Sequence, residues 1–117
     1  MSESKLRTLS LDFAARIIHL VKILRERRET VVTNQIGRSG TSIGANIHEA
    51  QYAHSKADFI AKLQIALKEA SETGYWLELL HRTDYLTDAE YKSLSEDCTR
   101  IRAMLISSIN TAKENTK

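Results

Sequence analysis

The sequence predicts an all-α fold, a bundle of four helices forming one domain over residues 1–117. Three observations predict it. The chain has no proline and only four glycines in 117 residues, too little turn chemistry for a many-stranded β fold. Four segments repeat apolar residues at steps of three and four, the spacing of one helix face. The connection "RTDYLT" between the last two is short, which makes antiparallel neighbours of the helices it joins. A hydrophobic content of 42% with 27% charged residues places the chain among globular rather than disordered proteins. No apolar run approaches the roughly 18 residues that span a bilayer. The opening "MSESKLRTLSLDF" lacks a secretory apolar stretch, so a cytoplasmic location and no membrane partner are expected.

The first helix is expected over "SLDFAARIIHLVKILRERR", with Ser10 as its cap and Phe13, Ile17, Leu20, Val21 and Leu24 facing inward. Its end carries Lys22, Arg25, Arg27 and Arg28. Cations there complement the negative end of the helix dipole. That is the first reading of these residues; the second is a phosphate-binding patch.

The second helix contains "IGRSGTSIGANIHEA", which holds three of the four glycines. It matches neither a P-loop nor a dinucleotide fingerprint, and no strand precedes it. Helical periodicity fits instead: Ile36, Gly40, Ile43, Ile47 and Ala50 make the apolar seam. At 100° per residue, Gly37, Gly40 and Gly44 line one side of that seam, where small residues permit close backbone approach. Gln35, Arg38, Ser39, Ser42, Asn46 and Glu49 line the other. Their short hydroxyls and amides suit a hydrogen-bonded contact between helices or subunits, and could also meet phosphates and sugars.

The third helix starts at Ser55, with Asp58 as its partner in a weak capping box. Phe59, Leu63, Ala66, Ala70, Thr73, Leu77 and Leu80 form its seam. Gly74 in mid-helix costs about 1 kcal/mol relative to Ala and so implies a close neighbour. The fourth helix has a full capping box, Thr87 with Glu90, and a hydrophobic staple, Leu86 with Tyr91. Its seam runs through Leu94, Cys98, Ile101, Leu105 and Ile109, which makes the single cysteine a buried apolar residue rather than a nucleophile.

Catalytic and metal chemistry find little support. A di-metal bundle needs two Glu-x-x-His motifs and two further glutamates; here Glu78 and His81 supply one such motif. His19, His48 and His54 share no helical face with a carboxylate pair, and no Ser–His–Asp arrangement stands out. Neither an enzymatic activity, a metal nor a cofactor is expected. Charge is uneven despite a net +2: residues 1–48 hold eight Lys/Arg against four Asp/Glu, and residues 49–117 nine against eleven. That asymmetry is compatible with a polyanion partner and with halves that pack on each other.

The stretch "NQIGRSGTSIGANIHEA", followed by "SKADFIAKLQIALKEASETGYWLELL", resembles the four-helix bundle proteins encoded by intervening sequences in bacterial 23S ribosomal RNA genes. The helix-two pattern of that family falls on Gln35, Arg38, Ser39, Ser42, Ile43, Asn46, Ile47 and Glu49, and its helix-three pattern on Asp58, Phe59, Leu63, Ala66 and Leu67. The resemblance implies a left-handed, up-and-down antiparallel bundle that assembles as a homopentameric ring. It also implies kinship with accessory proteins of diversity-generating retroelements, which bind nucleic acid and a reverse transcriptase. The resulting expectation is a non-enzymatic homo-oligomer touching RNA or DNA through Lys22, Arg25, Arg27, Arg28 and Arg38. In it Gln35, Ser39, Gly40, Ser42, Gly44, Asn46 and Glu49 hold helix or subunit contacts. The alternative is a protein-interaction adaptor that never meets nucleic acid.

Overall fold

The computed structural model of the protein describes residues 2–115, with side chains from Lys5 onward. Positions 1, 116 and 117 of the expected domain lie outside the described residues. The helices are α1 (Ser2–Glu26), α2 (Thr33–Ala50), α3 (Lys56–Arg82) and α4 (Asp88–Glu114). Each packs against the next, and α4 closes against α1, giving an up-and-down bundle of 50 × 22 × 19 Å. The α1–α2 and α3–α4 turns therefore share one end. The core is continuous along the axis, from Leu6 and Ile109 to Leu24, Val32 and Leu86. The seams read from the sequence supply it: Phe13, Ile17, Ile43, Ile47, Leu77 and Leu105 are all buried.

Helix α1 begins eight residues before the expected cap. Ser10 lies mid-helix, buried, and its hydroxyl donates to the carbonyl of Arg7 at 3.0 Å. The reason is that Leu6 is also buried, so the seam Leu6, Ser10, Phe13, Ile17 runs unbroken through the serine. Such back-bonding lets a serine sit inside a helix. Helix α3 corrects a second expectation. A Cβ added at Gly74 would meet nothing within 4 Å, so among the described residues no close neighbour explains that glycine.

The helix starts differ in how they satisfy their free N–H groups. At α4 the capping box closes both ways: Glu90 N–H donates to Thr87 Oγ1 at 3.1 Å and Thr87 N–H donates to Glu90 Oε1 at 2.8 Å. At α3, Ser55 accepts from Asp58 N–H at 3.1 Å, but the Asp58 carboxylate takes His54 N–H instead of its cap's. At α2 the cap position is Val32, whose side chain cannot accept a hydrogen bond. Glu29 replaces it. Its carboxylate accepts from the backbone N–H groups of Val31 (2.9 Å), Val32 (2.9 Å) and Thr33 (2.6 Å), and from the Thr33 hydroxyl. Burial alone would push this carboxyl up. The Thr33 hydroxyl and the three N–H groups outweigh it and hold Glu29 below the usual carboxylate range.

Candidate nucleic-acid interface

The two sides of the α2 seam meet two different helices of the same chain. The glycine side lies on α1: a Cβ at Gly40 would come within 2.8 and 2.9 Å of the Ile17 γ carbons, a distance real side chains do not adopt. At Gly37 and Gly44 the same atom would make ordinary 3.4 Å contacts with Val21 and Ser10. Close approach is thus concentrated at Gly40.

The polar side lies on α3. The Ser39 and Thr73 hydroxyls are 2.8 Å apart and both residues are fully buried. Arg38 donates to Glu69 at 3.1 Å and to Glu72, and Lys62 pairs with Glu49 at 3.1 Å. Glu72 is held below its ordinary pKa, first by the Trp76 indole N–H that it accepts at 3.0 Å and then by Arg38. Ser42 and Asn46 bond carbonyls of their own helix, those of Arg38 (2.6 Å) and Ser42 (2.9 Å). Gln35 is exposed. Within this chain, then, Ser39, Arg38 and Glu49 form a seam with α3, while Ser42 and Asn46 bond their own helix and Gln35 faces outward.

The other four cations of the sequence reading come together at the end of α1. The helix stops in a left-handed turn: Arg28 has φ 63°, its N–H donates to Arg25 C=O at 3.0 Å, and Glu29 N–H donates to Leu24 C=O at 2.9 Å. Arg27 is folded onto the α3–α4 turn. Its guanidinium donates to the Tyr85 carbonyl at 2.8 Å and the Asp84 carbonyl at 3.2 Å, and sits 4.6 Å above the Tyr85 ring. Arg25 reaches Asn34 Oδ1 at 3.3 Å, leaning toward the start of α2. Lys22 and Arg28 project into solvent. Among the described residues none of these four meets a carboxylate, whereas Arg16, Arg38 and Lys62 all do.

This arrangement can neutralise phosphates without first breaking internal ion pairs. Glu29 and Tyr85, which build the turn and seat Arg27, escaped the sequence reading. Glu29 had one signal: an acidic residue four positions before a threonine, ahead of a helix whose cap position is valine.

Burial pushes the Cys98 thiol up to about 11, and its sulfur lies 3.3 Å from the Ala70 carbonyl. His81 lies 2.7 Å from Asp88 Oδ1 and stacks on Tyr91 with ring centroids 4.4 Å apart, an exposed clasp between the end of α3 and the start of α4. Among the described residues, no group of three or more His, Cys, Asp or Glu is placed to hold a metal ion, and no helix is long and apolar enough to cross a membrane. Along α1 and α2 a groove of about 520 Å³ is lined by small residues such as Ala14, Thr41, Gly44 and Ala45 and by the larger Arg7, Leu11, His48 and Glu49. Leu11 stands 71% exposed at its edge and Ile18 is 50% exposed one to two turns further along α1.

These features define an all-α, up-and-down bundle with a basic end and an apolar-edged face. The model of the 23S rRNA-intervening sequence protein family matches residues 2–107; the chain belongs to that family. It is similar to a crystal structure of a protein with unknown function from the S23 ribosomal protein family of Bacteroides thetaiotaomicron VPI-5482. That likeness has 56% sequence identity, a TM-score of 0.92, and coverage of 94% of this chain and 99% of that one. Among curated proteins none matches this chain.

Proposed function

We propose that this protein is a non-catalytic scaffold that associates with copies of itself and contacts nucleic acid through the end of α1. One observation carries the nucleic-acid reading. Four cations lie within the seven residues from Lys22 to Arg28 against one carboxylate, Glu26, and among the described residues none of the four forms an ion pair. Such a cluster attracts a polyanion through its phosphates, so binding is salt-sensitive and largely independent of sequence. Arg38 has no part in it, because its charge is spent on Glu69 and Glu72. Self-association is supported by the exposed Leu11 and Ile18 beside the α1–α2 groove; the ring of five implied by the family resemblance is the form we propose.

Fluorescence anisotropy against labelled single-stranded RNA and duplex DNA at two salt concentrations tests this reading. The variant to compare is Lys22→Gln/Arg25→Gln/Arg28→Gln, which leaves Arg27 in its structural seat on Tyr85. Binding that weakens steeply with salt, and is lost in the variant, is the expected result. Binding unchanged in the variant would remove the end of α1 as the contact. No binding at low salt would remove nucleic acid as the partner.

A further inference from the structure

The end of α1 contains one residue in a conformation its side chain disfavours. Arg28 sits at φ 63°, in the left-handed region where the Cβ of an L-residue crowds its own backbone. The turn around it is the kind that usually places glycine at this point. The α3–α4 turn at the same end of the bundle is built alike: Asp84 has φ 67°, Asp84 N–H donates to His81 C=O at 3.2 Å, and Tyr85 N–H donates to Leu80 C=O at 2.9 Å. There the strained position is filled by aspartate, whose short side chain tolerates left-handed backbone. Arginine has no such tolerance.

The turn's own hydrogen bonds hold the Arg28 backbone, but its side chain adds nothing to them. Among the described residues its guanidinium makes no hydrogen bond, ion pair or ring contact, whereas the Arg27 guanidinium beside it donates to the neighbouring turn. A strained residue whose side chain does nothing for the fold points to a use outside the fold. We infer that Arg28 is a phosphate contact held in place by the α1–α2 turn, and that the ligand is read through its phosphodiester backbone rather than its bases. This rests on the nucleic-acid reading above and sharpens it.

The backbone part of the inference follows from the surroundings. Base-reading of single strands relies on exposed aromatic faces. At this end the aromatic beside the cations is Tyr85, which is partly buried and whose ring is covered by Arg27. The exposed tyrosines, Tyr52 and Tyr75, lie just past the end of α2 at the far end of the bundle and on α3, diagonal to α1. Arg28 instead follows Lys22 and Arg25 on the last turn of α1, and all three are exposed.

Arg28→Gly separates this role from a structural one, because the two predict opposite signs of stability change. Glycine relieves the turn, so the melting temperature of Arg28→Gly should rise by a few degrees. At the same time affinity for a short labelled duplex DNA should fall, with the slope of log K against log salt shrinking by about one unit per chain. Arg28→Lys should retain most of the affinity. The duplex should also be bound at least as tightly as a labelled oligouridine of equal charge. A melting temperature that drops in Arg28→Gly would make the residue structural and overturn the inference. So would unchanged affinity in Arg28→Gly while Lys22→Gln/Arg25→Gln still weakens binding, an outcome that leaves the wider nucleic-acid reading standing. Clear preference for the oligouridine would overturn the backbone part. If the unaltered protein binds neither probe, the wider reading falls and this one with it.

Discussion

The two edges of α2 hold their neighbours by opposite means. Toward α1 the contact depends on an atom that is missing: Gly40 has no Cβ, and Ile17 occupies the space. Toward α3 it depends on groups that are present: a buried hydroxyl pair, Ser39 with Thr73, and ion pairs from Arg38 and Glu49 at the rim. The first kind of contact is steric and insensitive to salt or pH. The second is graded, with its exposed members worth little and its buried member worth more. A single helix can therefore be tuned on one side and not on the other.

The sharpest way to break the comparison is Gly40→Leu. The new side chain must displace Ile17 from the core, and stability should fall by about 3 kcal/mol, the upper part of the range for overpacking. A melting temperature equal to the parent's would refute the steric account of this edge.

Glu29→Gln should have the next largest effect, since α2 hangs from that carboxylate at its first turn. A neutral amide keeps one acceptor oxygen but loses charge-assisted bonds to three backbone N–H groups, so about 2 kcal/mol should be lost at neutral pH. The pH dependence has a definite sign. The folded protein holds Glu29 below its unfolded value near 4.5. Its stabilising contribution is therefore complete above that value and drains away as pH falls through the folded pKa. Denaturant midpoints measured from pH 6 downward should decline less steeply in Glu29→Gln than in the parent; parallel curves would contradict the cap.

Gly74→Ala makes the contrasting glycine test. With nothing within 4 Å of the new methyl group, the change should add about 1 kcal/mol through helix propensity alone. A loss on thermal unfolding would mean that α3 meets something at that point outside the chain. The smallest effect belongs to Arg38→Gln. Its partners are partly exposed and Arg38 itself is 49% exposed, so about 0.5 kcal/mol should be lost at low salt and less at high salt. An effect that ignores salt would place Arg38 in a different role.

The sequence carried the helices well because their signals are local. The seams repeat within a few residues, and the Thr87 box closes over three positions. What it carried poorly was anything settled by distance along the chain. Glycine spacing pointed to a close partner for α2 without saying whether it was α1 or another copy. Ser10 looked like a cap because serine at a helix start is common, while the continuation of the seam through Leu6 was the stronger fact. Arg27 counted as a free cation until residues 57 and 58 positions away supplied its acceptors. Arg38 likewise became structural only when Glu69 and Glu72 came alongside. Of the proposed contact residues, those left over were the ones that packing had not claimed.

Cys98 turns the closed bundle into its own clock. The thiol is buried between α3 and α4 with its sulfur against the Ala70 carbonyl, and burial pushes its pKa up to about 11. A thiol reagent in solution can reach it only when those helices part. With one cysteine in the chain, every modified molecule records one such excursion. When the reagent outpaces reclosing, the rate of modification reports how often the α3–α4 hairpin opens; when reclosing is the faster, it reports the fraction of time the hairpin stands open. The residue that contributes no chemistry to the surface thus measures the breathing of the interior.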